Sequence, residues 1–128
     1  MKLLPLLCLL LGACGDDGGN GTPDAPVGVD APTASVMKVT CPAQVAATVT
    51  TTDASFSYSP MATTITVGSV VKFNTSASHN VKPNPVANKT DPGLDVGFNE
   101  MACLKFTATG TFGFFCSPHG FAGTITVN

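Results

Sequence analysis

"TGTFGFFCSPHGFAGTITVN" (Thr109–Asn128) closes the chain, and its alternation is the clearest structural signal in the sequence. Phe112, Phe114 and Cys116 fall on one face and Gly113 and Phe115 on the other. Further on, Ile125 and Val127 fall opposite Thr124 and Thr126. A period of two is the mark of a half-buried strand. Two strands joined by a turn containing Cys116, Pro118 and His119 are therefore predicted. The Phe112/Phe114 face is the core candidate, which carries Cys116 inward and turns Phe115 outward. Cysteine and histidine three apart at the end of an aromatic strand can hold a metal ion.

The same period recurs upstream, in "SVMKVTC" (35–41), "ATVTTTDASFSYS" (47–59), "TTITVGSVVKFNTS" (63–76) and "ACLKFTATGTFGFFC" (102–116). Gly68 and Ser69 suit a hairpin turn, and the third segment is expected to fold back there. Between His79 and Phe98, "HNVKPNPVANKTDPGLDVGF" carries three prolines, which argues against a central strand and for a long excursion over the surface. No helix signal exceeds a turn. Seven or eight short strands predict an all-β fold, a two-sheet antiparallel sandwich with Greek-key connections.

Composition agrees with this. The chain has 128 residues, room for one ordinary domain, and is rich in Thr, Val, Ser and Gly. Its formal net charge is −2 and it contains no arginine, so a nucleic-acid partner, which needs clustered cations, is not expected. Residues 1–13 read as a signal peptide: Lys2 precedes the apolar run "LLPLLCLLLG", far short of the roughly 20 residues that span a bilayer. "LGAC" (Leu11–Cys14) resembles a bacterial lipobox, which implies cleavage before Cys14 and lipidation of its thiol. Residues 14–36 are Gly-, Pro- and Asp-rich, with no aromatic residue, and read as a disordered tether. The expected domain is 37–128, held at the cell envelope, in the periplasm or on the surface, by its N-terminal lipid.

Five cysteines then sort themselves. Cys8 leaves with the signal and Cys14 takes the lipid. Of the remaining three, Cys41 and Cys103 lie in predicted strands and are expected to pair, which is more comfortable outside the cytoplasm than two free thiols. Cys116 is left as a thiolate. The chain has only two histidines, His79 in "SASHNVKP" and His119. One soft thiolate with two imidazoles suits copper, and such a trigonal set with a weak axial ligand marks a blue-copper site. Zinc would lack a fourth protein ligand. A cysteine nucleophile with His119 as base would lack an oxyanion or orienting partner.

"SHNVKP", "FTATGTFGFFCSPHG" and the terminal "GTITVN" together resemble the plastocyanin, amicyanin and pseudoazurin branch of the cupredoxins, over about residues 37–128. The resemblance implies an eight-stranded Greek-key sandwich with one type 1 copper ion at one end. His79, ahead of the excursion, would supply the first ligand, and Cys116 and His119, in the last turn, the other two. It also implies that Asn80 stiffens the two ligand-bearing loops while Ser117 and Pro118 shape the turn beside the sulfur. His119 would present a ring edge to transient redox partners, framed by Gly120, Phe121 and Ala122.

One departure stands out, since these relatives carry an axial methionine after the last histidine and residues 117–128 contain none. Anchoring on Gly123 and "TITV" places Phe121 at the axial position; counting from His119 instead gives Ala122 or Thr124. Met61 or Met101 could supply sulfur only from another strand. The expected function is single-electron transfer by an extracytoplasmic blue-copper protein. No small-molecule substrate and no enzymatic turnover are expected. The competing readings are copper storage or delivery, and a surface scaffold that has lost its metal.

Overall fold

Apart from one two-residue strand, runs only four to six long and rich in β-branched and aromatic residues form strands because their side chains alternate between the core and the opposite face. The computed structural model describes residues 34–128; the expected signal peptide, Cys14 and most of the tether lie outside the described residues. Eight strands are present: β1 (Val36–Val39), β2 (Ala47–Thr50), β3 (Ala62–Ile65), β4 (Val70–Asn74), β5 (Lys82–Pro83), β6 (Met101–Phe106), β7 (Gly110–Phe115) and β8 (Ala122–Val127). No helix occurs among the described residues. β1 begins at Val36, which is buried, so the fold takes in the last residues of the expected 14–36 tether.

The strands form two four-stranded sheets, β1-β6-β4-β2 and β3-β8-β7-β5, and so give the expected sandwich. Each sheet is mixed, not purely antiparallel, because β2 runs parallel to β4 and β3 parallel to β8. The turn at Gly68 and Ser69 is not a hairpin: β3 and β4 lie in different sheets, and the turn carries the chain across the sandwich. Gly68 has φ +88°, and its N–H donates to the Phe106 carbonyl at 2.7 Å, pinning the crossing to β6. Residues 107–109 make a second crossing, from β6 to β7. Only β7 and β8 are consecutive strands paired with each other, in the register Phe112↔Ile125 and Phe115↔Ala122.

Inward-facing residues of both sheets meet in one core. Phe73 packs edge-to-face on Phe114 at 5.4 Å between centroids, and Phe106 on Phe112 at 5.6 Å. All four rings are fully buried, each contributing about 2–3 kcal/mol of transfer free energy. The tip of the Phe114 ring also approaches Gly123 of the neighbouring strand: a β-carbon there would sit 2.6 Å from the Phe114 ring. Glycine is required at that point by close approach.

The proline-bearing excursion is more than a surface loop. It runs down beside β7, with Asn84 donating its N–H to Gly113, and comes back with Leu94 and Val96 fully buried. Val81 bridges Val96, and the buried Thr75 hydroxyl donates to the Gly97 carbonyl at 2.6 Å, closing the return onto the end of β4. The prolines exclude long strands, but they do not prevent single side chains from filling the core.

At the end where β6 turns into β7, Thr107 donates its N–H to the Ser35 carbonyl at 2.8 Å, and Ser35 donates its own to the Asp91 carboxylate at 2.7 Å. The chain thus enters the sandwich at one pole. Cys116 follows the last residue of β7 and lies at the other.

Candidate metal centre

Strand β7 delivers Cys116 to the end of the sandwich, and the six residues Cys116–Phe121 link it to β8. The turn is tight. Gly120 donates its N–H to the Cys116 carbonyl at 2.7 Å with φ +81°, a left-handed conformation that favours glycine, and Cys116 donates its own to Phe121 at 2.9 Å. His119 is thrown outward and exposed, while Cys116 stays fully buried. His79 comes from the opposite sheet's side, five residues past the end of β4, and is also fully buried.

These three side chains converge. His79 Nδ1 and His119 Nδ1 are 3.1 Å apart, and Cys116 Sγ lies 3.6 Å from the first and 3.7 Å from the second. A triangle with these sides has its centre roughly 2 Å from each corner, the reach of imidazole nitrogen and thiolate to a transition metal. No other group of three or more His, Cys, Asp or Glu side chains with such convergence is present among the described residues. One soft sulfur and two imidazole nitrogens converging on one point fit copper.

Asn80 fastens the two halves together. Its side-chain amide donates to the Ser117 hydroxyl at 3.0 Å and accepts the Ser117 N–H at 2.9 Å, so the residue after His79 is tied to the residue after Cys116. Pro118, lacking an N–H, follows in the exposed turn.

Two aromatic residues at the centre were not legible as such in the sequence: Phe56 and Tyr58, on the connection between β2 and β3. Tyr58 is buried, donates to the Asn80 carbonyl at 2.6 Å, and packs edge-on against Phe114 and Phe121. Burial, with a smaller push from nearby Cys116, raises the Tyr58 hydroxyl well above the ordinary phenol range, so it stays protonated as a donor. The Asp53 carboxylate accepts the Ser78 N–H at 2.9 Å; this bond, with further ones from Ser78 and Ser76, holds its pKa below the usual carboxylate value. Residues 53 and 58 therefore grip the chain immediately before and after His79. The signal available was the alternation in "ASFSYS", which reads as a strand and says nothing of a distant histidine.

Phe121 packs against the core and meets the His79 ring edge-on at 4.9 Å, while it lies nearly parallel to His119 at 6.4 Å. Ala122 is already in β8 opposite Phe115, and Thr124 lies farther along the strand opposite Gly113. Met61 and Met101 are both exposed, at 60% and 59%. Phe115 is half-buried and paired with Lys82. Cys41 and Cys103 form a disulfide with a Cα–Cα distance of 5.2 Å, which leaves Cys116 as the free cysteine among the described residues.

Comparison with known proteins agrees with the geometry. Residues 43–128 match the family model described as copper binding proteins, plastocyanin/azurin family. A comparison with curated protein sequences gives no match. Amicyanin from Paracoccus versutus (Thiobacillus versutus) superposes with a TM-score of 0.56 at 20% identity, covering 75% of this chain and 100% of amicyanin. A reduced single-site variant of amicyanin gives 0.55 at 21% identity, covering 73% and 99%. A purple cupredoxin from Nitrosopumilus maritimus gives 0.51 at 25% identity, covering 64% and 99%.

Proposed function

The chain belongs to the plastocyanin/azurin family of copper-binding proteins, and from that premise we propose that it carries single electrons between redox partners outside the cytoplasm. In this reading copper is held by His79, Cys116 and His119 with no thioether donor. The observation that carries the reading is the convergence of one sulfur and two ring nitrogens within 3.7 Å of one another, built on residues that leave no other histidine or free cysteine among the described residues. When bound, copper supplies a one-electron couple that needs no change of ligands.

The protein's part is to keep those donors still. Cys116 and His79 are locked by burial and by the Asn80–Ser117 pair, and Tyr58 and Asp53 fix the backbone on either side of His79. A donor set that cannot relax opposes reorganisation on electron transfer. His119 is the exposed member and offers its ring edge as the contact for transient redox partners. The Cys41–Cys103 disulfide supports an oxidising, extracytoplasmic setting, and the lipobox-like "LGAC" supports an anchor at Cys14 in the cell envelope. Titrating the metal-free protein with Cu(II) tests the reading. One equivalent should produce an intense visible sulfur-to-copper band, and a colourless titration would overturn it.

Phe121 would flank the ion from the core side in this reading, since its ring meets His79 edge-on at 4.9 Å and lies nearly parallel to His119 at 6.4 Å. Without a thioether the oxidised ion loses a donor, so the reduction potential rises relative to a methionine-bearing site. Phe121→Met should lower the potential while the visible band persists. Protein-film voltammetry measures this, and an unchanged or raised potential would remove Phe121 from the axial role.

A further inference from the structure

We propose that Phe56 is a hydrophobic shutter over the route by which a metal ion reaches and leaves the His79–Cys116–His119 cluster, and that it thereby sets the rate of metal exchange. The proposal rests on the copper reading above, but part of its test does not need copper.

Two of the three donors are sealed: His79 and Cys116 have no exposure to solvent. An ion must therefore pass between side chains that cover them. On the core side the cover is Phe121, packed against the hydrophobic interior and Tyr58. On the solvent side the rings against His79 are the exposed His119, at 4.8 Å, and Phe56, at 5.7 Å. Phe56 also meets His119 edge-on at 4.9 Å, so a single phenyl ring spans both imidazoles.

That ring is 63% exposed. A phenylalanine left so far in water gains little from burial, and its position is not explained by core packing. Its backbone, by contrast, is well held. Asp53 accepts the Ser78 N–H, Tyr58 donates to Asn80, and Thr50 and Ser59 exchange backbone hydrogen bonds at 2.9 Å. The segment is a firmly held bracket around His79 from which one exposed side chain projects. Exposed side chains change rotamer within nanoseconds, so the ring can swing aside with no backbone motion. Two edge-on aromatic contacts oppose the swing, enough to slow passage without blocking it.

The test compares wild type with Phe56→Ala and Phe56→Leu in the full chain, with Phe98→Ala, on the turn before Glu100, as a control for loss of an exposed ring. Stopped-flow Cu(II) uptake and chelator-driven release should both quicken about tenfold in Phe56→Ala, with the dissociation constant unchanged within about twofold. Phe56→Leu should stay near wild type because a branched aliphatic still covers the imidazoles, and Phe98→Ala should match wild type. In the metal-free protein, alkylation of Cys116 by iodoacetamide, located by peptide mass, should quicken by a similar factor in Phe56→Ala alone. Unchanged uptake and alkylation would overturn the proposal. So would faster release with unchanged uptake, which would make Phe56 a holding group and not a cover. If wild type takes no copper, the copper reading fails, and the alkylation rate still decides whether Phe56 covers the cluster.

Discussion

Cys116→Ser abolishes the visible band of the copper-loaded protein and lowers copper affinity by more than about 100-fold, the largest functional effect expected of any single substitution. The band requires electron density on a sulfur bound to copper. A serine hydroxyl is hard, stays protonated at neutral pH and offers no comparable transition. The loss should not come from misfolding. Cys116 is buried between His79 Nδ1 and His119 Nδ1, and a hydroxyl placed there has ring nitrogens within reach as hydrogen-bond partners. The variant should therefore melt close to wild type, as circular dichroism can check, while equilibrium dialysis reports the affinity. A variant that keeps its colour would show that Cys116 does not supply the sulfur, and would sink the site as described.

The largest effect on stability is expected from the double variant Cys41→Ala/Cys103→Ala. The disulfide spans 62 residues, and releasing a loop of that size frees unfolded-state entropy worth about 4 kcal/mol. Strand β1 has few other attachments, for it is four residues long, lies at the edge of its sheet and pairs only with β6. Cys103 faces outward on β6 yet is fully buried, because the bridge to the exposed Cys41 covers it. A loss of 3–4 kcal/mol should lower the melting temperature by roughly 15 °C or more in a domain of this size. The copper band should survive at low temperature, since Cys103 points away from the core side that carries Cys116. A melting temperature within a few degrees of wild type would show that burial alone holds β1.

Much of this was legible in the sequence, for identifiable reasons. β7 and β8 alternate cleanly, so Phe112, Phe114, Ile125 and Val127 could be assigned to the core from their spacing. The cluster that could hold a metal was legible through scarcity: with two histidines and one unpaired cysteine in the domain, a Cys-plus-two-His group has only one composition. The pairing of Cys41 with Cys103 followed in the same way. Connectivity was less readable. Gly68 and Ser69 turn the chain identically whether it returns to its own sheet or crosses to the other, so the expected hairpin proved to be a crossing. Leu94 and Val96 are buried from a stretch too irregular to show a period, and their place was hidden. Phe56 and Tyr58 looked like strand residues because alternation reports which face a side chain takes, and not which distant loop it meets.

The entry of the chain beside Thr107 has a practical corollary. Ser35 lies at the pole remote from His119, so a domain grafted at Ala34 to an electrode or a vesicle, with a linker in place of residues 1–33, would hang with its imidazole edge toward the bulk solution. Attachment and electron exchange would then occupy opposite ends of the same small body, and neither would obstruct the other.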